Sequence, residues 1–150
     1  MRFSLPVRFG IATCGSLIAY FLILSLFGLH TNVFFSLFNG VITAFGIYEA
    51  IKYLRIRDRE QFTYSKGFTA GIVTGFSATL MYTVFFWLYC TELNPSFLEE
   101  LLENWFNRLK GFPAIVFFTV AIMGFSTSLV LTLSFMQLFK SSNNLKKKTS

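Results

Sequence analysis

The chain has 150 residues, of which 54% are hydrophobic and 13% charged, and Phe alone contributes 21. Soluble domains carry about 25% charged residues, and a chain this short and apolar, with a mean hydropathy of +0.59, has no room for a separate soluble catalytic domain beside a membrane bundle. The net charge of +6 is divided among short segments with no nucleic-acid-binding motif, so no nucleic-acid partner is expected.

Crossing the hydrocarbon core takes about 20 apolar residues as a helix, and helices are the default because every backbone polar group must be paired in lipid. Four runs meet that length: residues 9–29, 33–54, 67–89 and 112–139. The predicted fold class is therefore all-α, a single polytopic membrane domain of four transmembrane helices. An extra amphipathic helix is predicted between spans 3 and 4, and a basic tail at residues 140–150.

Span 1 follows Arg2 and Arg8 and is expected to stay attached as a retained first helix. Its Cys14 lies near one membrane face, whereas Cys90 of span 3 lies near the other. A disulfide needs Cα atoms within about 7 Å, so none is expected within one chain. The connection His30-Thr31-Asn32 is short, so spans 1 and 2 should form an antiparallel hairpin.

Span 2 carries Ser36, Gly40 and Ala44 at four-residue steps, which place them on one helix face. Glu49 is the only acid inside a predicted span. Acids within spans mark functional sites by default, but Lys52 follows at i+3, a spacing for a helix-surface ion pair. With Arg55 and Lys66, these residues form either an interfacial ion pair or an inner polar gate. The loop that follows, through Arg57 and Arg59, is basic.

Span 3 opens with Gly67, Gly71 and Gly75, continued by Thr79. Such a stripe lets a second backbone approach closely, as membrane helices do when they associate. It packs either the helices of one chain or copies of the chain. In span 4, Gly124 and Ser128 make a similar stripe. Hydroxyls Thr119, Ser126, Thr127, Ser128, Thr132 and Ser134, with Thr43 and Ser77 expected opposite, either pair across helices or line a polar path.

Between spans 3 and 4, Asn94-Pro95 suits a helix start and Ser96-Phe97-Leu98-Glu99 fits a capping box. Leu98, Leu101, Leu102, Trp105, Phe106 and Leu109 recur at helical spacing, giving an amphipathic helix over residues 95–110. It lies on the outer surface or across the bundle mouth. Glu99, Glu100 and Glu103, with Trp105, make it a connector, a lid or an outer docking surface for an envelope protein.

Lys and Arg in short loops stay cytoplasmic. Arg2, Arg8, the cluster from Lys52 to Lys66, and the tail lysines 140, 146, 147 and 148 share one side, leaving only Arg108 and Lys110 on the other. Both termini are thus expected in the cytoplasm, consistent with an even number of spans. No metal-ligand cluster, nucleophile elbow or phosphate loop occurs, and no acid, base or His falls at mid-span. No enzyme activity, cofactor or metal is expected. The expected role is a structural or interaction component of the membrane, in contact with lipid and with a homo-oligomer or an envelope partner. The alternative is a small oligomeric channel or transporter subunit.

The chain resembles the bacterial four-helix membrane proteins grouped as domain of unknown function 4199. The resemblance rests on Gly46-Ile47, Lys52 and Arg55, then on Phe62-Thr63-Tyr64-Ser65-Lys66-Gly67-Phe68-Thr69-Ala70-Gly71. It continues at Trp87-Leu88-Tyr89 and Asn94-Pro95-Ser96-Phe97-Leu98. It implies a bacterial inner-membrane location and brings no catalytic residues.

Overall fold

A computed structural model describes residues 4–29, 33–105 and 114–139. Among them are five α-helices and no strand: α1 (Ser4–Leu26), α2 (Val33–Asp58), α3 (Tyr64–Leu88), α4 (Pro95–Trp105) and α5 (Ala114–Leu138). Helices α1, α2, α3 and α5 are long and apolar enough to cross a membrane, so the protein is a multi-pass membrane protein. The loop 30–32, the segment 106–113 with Arg108 and Lys110, and the tail 140–150 lie outside the described residues.

Local chemistry sets the ends of these helices. Helix α1 is already helical at Ser4, ahead of the expected residue 9, and Pro6 is tolerated near its start, where a missing N–H costs little. It stops at Leu26, short of the expected residue 29. Gly28 takes φ +67°, and the Gly28 and Leu29 amides return to the Ser25 and Leu24 carbonyls, a left-handed C-cap that glycine adopts without strain. Helix α3 starts at Tyr64, three residues ahead of the expected 67, since the Thr63 side chain accepts from the Lys66 amide at 3.4 Å. After Leu88 the chain widens into a π-turn, Tyr89–Leu93, closed by the Asn94 amide on the Tyr89 carbonyl at 2.8 Å.

Helix α4 is capped differently from expectation. Asn94 Oδ1 accepts from the Phe97 amide at 3.3 Å and from the Ser96 hydroxyl at 2.7 Å, so Asn94, not Ser96, is the cap. Asn is as good a cap as Ser, and Pro95 then occupies the position that needs no amide proton.

Helix α3 is the hub, packed against α1, α2 and α5. Toward α1 it presents Thr74 and Ser77, which crowd Gly10, and the buried Thr74 hydroxyl donates to the Pro6 carbonyl at 3.1 Å. Toward α2 and α5 it presents the glycine stripe, filled by Ile47 and Ile51 from one and by Ser128 and Thr132 from the other. At the α4 end, the Phe21 ring meets Tyr89 edge-on at 4.9 Å, with Phe86 at 5.7 Å and Phe97 at 6.2 Å. Each such pair adds about 0.5–1.5 kcal/mol beyond simple burial. This cluster docks α4, whose Leu98, Leu101 and Leu102 pack against it.

Candidate functional site: a cavity at the α4 end of the bundle

The two halves of the bundle are built from different residues. In the half away from α4, α3 and α5 run antiparallel in near contact. Gly67 faces Met136, Gly71 faces Thr132, Gly75 faces Ser128, and Thr79 faces Gly124. Four residues up α3 match four residues down α5, so a glycine stands on one side of every step. A Cβ on Gly71 would lie 2.5 Å from Thr132, and one on Gly124 would lie 2.5 Å from Thr79. There is no space between these helices for a path. The stripe of span 3, together with Gly124 and Ser128, is thus spent inside this chain.

The stripe of span 2 has a different fate. Ser36 is exposed, Ala44 is half-buried, and a Cβ on Gly40 would meet nothing within 4 Å. Helices α2 and α5 touch where the Tyr48 ring meets Phe135 and Phe139, each at 5.5 Å. Above that contact they face each other across a cavity of about 410 Å³. The Ser36–Gly40 edge therefore lines a cavity instead of packing on a neighbour within the chain.

This cavity has a floor, walls and a ceiling. Thr43, Thr79, Gly124 and Thr127 line its lower end. Asn39 and Tyr82 stand above them, with Leu17 of α1 and Met123 of α5 beside them. Phe86 and Val116 border the upper end, and Phe97 and Leu101 of α4 cover it. Among the described residues, none of the lining side chains is an acid, Lys, Arg or His. Asn39 Oδ1 is buried without a hydrogen-bond partner, an arrangement that costs about 1–3 kcal/mol in a protein interior.

Hydroxyls in the spans mostly do not pair across helices. Thr43 donates to the Asn39 carbonyl at 2.9 Å, Thr119 to Ile115 at 2.8 Å and Ser128 to Gly124 at 2.7 Å. With no water in the bilayer core, the carbonyl one turn back is the nearest acceptor. Ser77 bonds Val73 and Thr74 in the same way and faces α1 instead of α5. Ser126 and Ser134 of α5 are exposed. Cross-helix bonds come instead from Thr74, from Tyr20 to the Phe35 carbonyl at 2.9 Å, and from Ser25 with Tyr89 at 2.5 Å.

The basic residues at the end away from α4 do not converge on one gate. Glu49 pairs with Lys52 at 3.1 Å, and both are partly exposed. Lys66 turns to Asp58 at 3.5 Å and to the Gln61 carbonyl at 2.9 Å. Arg55 lies over the Phe139 ring at 5.4 Å, a cation–π contact. On α4, Glu99, Glu100 and Glu103 are exposed, away from the buried Phe97. The Trp105 side chain, and residues 106–110 of the expected outer helix, lie outside the described residues. Cys14 and Cys90 are both buried and free.

A family model described as a protein of unknown function, DUF4199, matches residues 8–140. The chain belongs to the DUF4199 family. The match spans all four membrane helices, α4 and the cavity between them. No curated protein and no solved structure matches the chain.

Sequence reasoning missed the cavity and its central amide. Asn39 is an uncharged side chain in an apolar run, and a lone amide within a span was the available signal. Leu101 read as part of the apolar face of a helix on the membrane surface or across the bundle mouth, and Phe97 only as part of a capping box; nothing in their spacing singles out a cavity beneath them.

Proposed function

We infer that this DUF4199 member is a non-catalytic accessory protein of the bacterial inner membrane, with both termini in the cytoplasm, that works by binding at its outer half. The observation carrying this reading is the contrast between a closed inner half and an open outer one. A channel within one chain needs a continuous polar path, and the α3–α5 contact leaves none below Thr79. Helix α4 supports a binding role. Its apolar face is held by the aromatic cluster, so Glu99, Glu100 and Glu103 are displayed on a fixed support to a basic envelope partner.

The alternative, an oligomeric channel or transporter subunit, would need its lumen between copies. Native mass spectrometry of the tagged protein, purified in gentle detergent from its own membrane, separates the two readings. The accessory reading expects a stoichiometric foreign subunit that is lost when Glu99, Glu100 and Glu103 are all changed to Gln. A defined homo-oligomer that carries ion flux in liposomes overturns it.

A further inference from the structure

The geometry points to the outer-half cavity as a binding site for an uncharged, hydroxyl-bearing amphiphile, of the monoacylglycerol or long-chain alcohol class, whose polar end lies deep at Asn39 and Thr43. This goes beyond the accessory reading and stands whether or not a protein covers α4.

Three observations define the ligand. The first is size. At about 410 Å³, the cavity falls in the range of small-molecule sites, about 300–1,000 Å³, and its lining is mostly aliphatic and aromatic, which suits a hydrocarbon chain better than a pool of water.

The second is charge. With no ionisable acid or base among its described lining residues, the site offers no compensation for a buried carboxylate, phosphate or ammonium. Burying an unpaired charge is far costlier than burying a hydroxyl that finds a partner. Fatty acids and phospholipid headgroups are therefore disfavoured, and a neutral polar end is selected.

The third is hydrogen-bond sense. The protons of the Thr43 and Thr119 hydroxyls are already committed to the Asn39 and Ile115 carbonyls, so these oxygens retain only lone pairs. Asn39 Oδ1 lacks a donor. A ligand hydroxyl supplies that donor and also accepts, which suits a lining that includes the Asn39 amide and the Tyr82 phenol. Thr43, Thr79 and Thr127 lie at the lower end with Asn39 above them, and Phe97 and Leu101 of α4 border the upper end, so the hydroxyl end is placed at Asn39 and Thr43 and the chain packs toward α4.

The test uses the full chain in phosphatidylcholine nanodiscs, with a diazirine-tagged monoacylglycerol and the diazirine-tagged fatty acid of equal chain length at pH 8. Expected is saturable crosslinking of the glyceride to peptides of α2 and α5, with the fatty acid at least tenfold weaker. Gly40→Leu places a side chain into the cavity where nothing obstructs it, and should cut labelling at least tenfold with an unchanged melting temperature. Asn39→Leu, close in volume but without the amide, should cut it severalfold. Equal labelling by acid and glyceride overturns the proposal, as does full labelling of Gly40→Leu. A change of oligomeric mass in Gly40→Leu also overturns it, because the cavity would then belong to a second copy. Partner capture on α4 is read in a separate experiment, so the two readings fail independently.

Discussion

Two small-residue stripes of the same form sit at matched points of this chain and do opposite things. Gly67, Gly71 and Gly75 on α3 are pressed between α2 and α5, whereas Ser36 and Gly40 on α2 border open space. The difference lies in the neighbours. The α3 stripe runs antiparallel to a second stripe, Gly124, Ser128 and Thr132, in register with it. The α2 stripe has no such counterpart, because the residues across from it on α5, Thr119, Val120 and Met123, are held away by the cavity. A glycine stripe thus marks where a backbone can approach, and the partner's side chains decide whether one does.

The largest expected effect comes from breaking the closed half. Gly71→Leu forces a side chain into Thr132 and Ile51. Overpacking costs about 1–3 kcal/mol and more where backbones must part, so thermal melting in detergent should show the bundle strongly destabilised. Normal melting would mean α3 and α5 are not in contact. Gly40→Leu is the matched control, expected within about 0.5 kcal/mol of the parent, as at a site with no contacts to lose.

Opening the roof comes next. Phe97 is 3% exposed and meets the Phe21, Phe86 and Tyr89 rings. Phe97→Ala should cost about 3 kcal/mol in line with buried Phe truncations, and limited proteolysis should then cut at α4 before the spans. Protection equal to the parent would mean α4 is held by something else.

Thr74→Val tests the α1–α3 seam, where the side chain is fully buried and bonds Pro6. A hydrogen bond between membrane helices is worth about 0.6 kcal/mol on average, so a small loss of melting stability is expected, and a loss several times larger would point to repacking. The smallest effect is Glu49→Gln. The Glu49–Lys52 pair is partly exposed, and helix pairs of this kind contribute about 0.2–0.5 kcal/mol. Stability should barely change and liposome flux should not respond. A flux that falls would revive the inner-gate reading of Glu49, Lys52, Arg55 and Lys66.

Most of the architecture was legible because lipid simplifies the rules. Four apolar runs must be helices when no water is present to pair their backbones, and Pro95 and the leucine spacing announced α4. Helix ends were less legible, since Gly28 and Thr63 act through φ angles and side-chain caps that hydropathy does not register. The site was least legible. Ser77 and Ser128 look equivalent on the page, yet one faces α1 and the other α5, because rotation of a uniformly apolar helix about its axis leaves no trace in its composition.

The sequence by itself determined the number of spans, the helix between spans 3 and 4, the basic loop between spans 2 and 3 and the availability of glycine faces. Each follows from the cost of placing charge or unpaired backbone in hydrocarbon. Only the tertiary structure decided which faces meet, that α3 is the hub, and that α2 and α5 part above Tyr48 to leave a neutral cavity under α4. Those outcomes depend on side-chain volumes meeting across helices distant in sequence, which no single helix encodes.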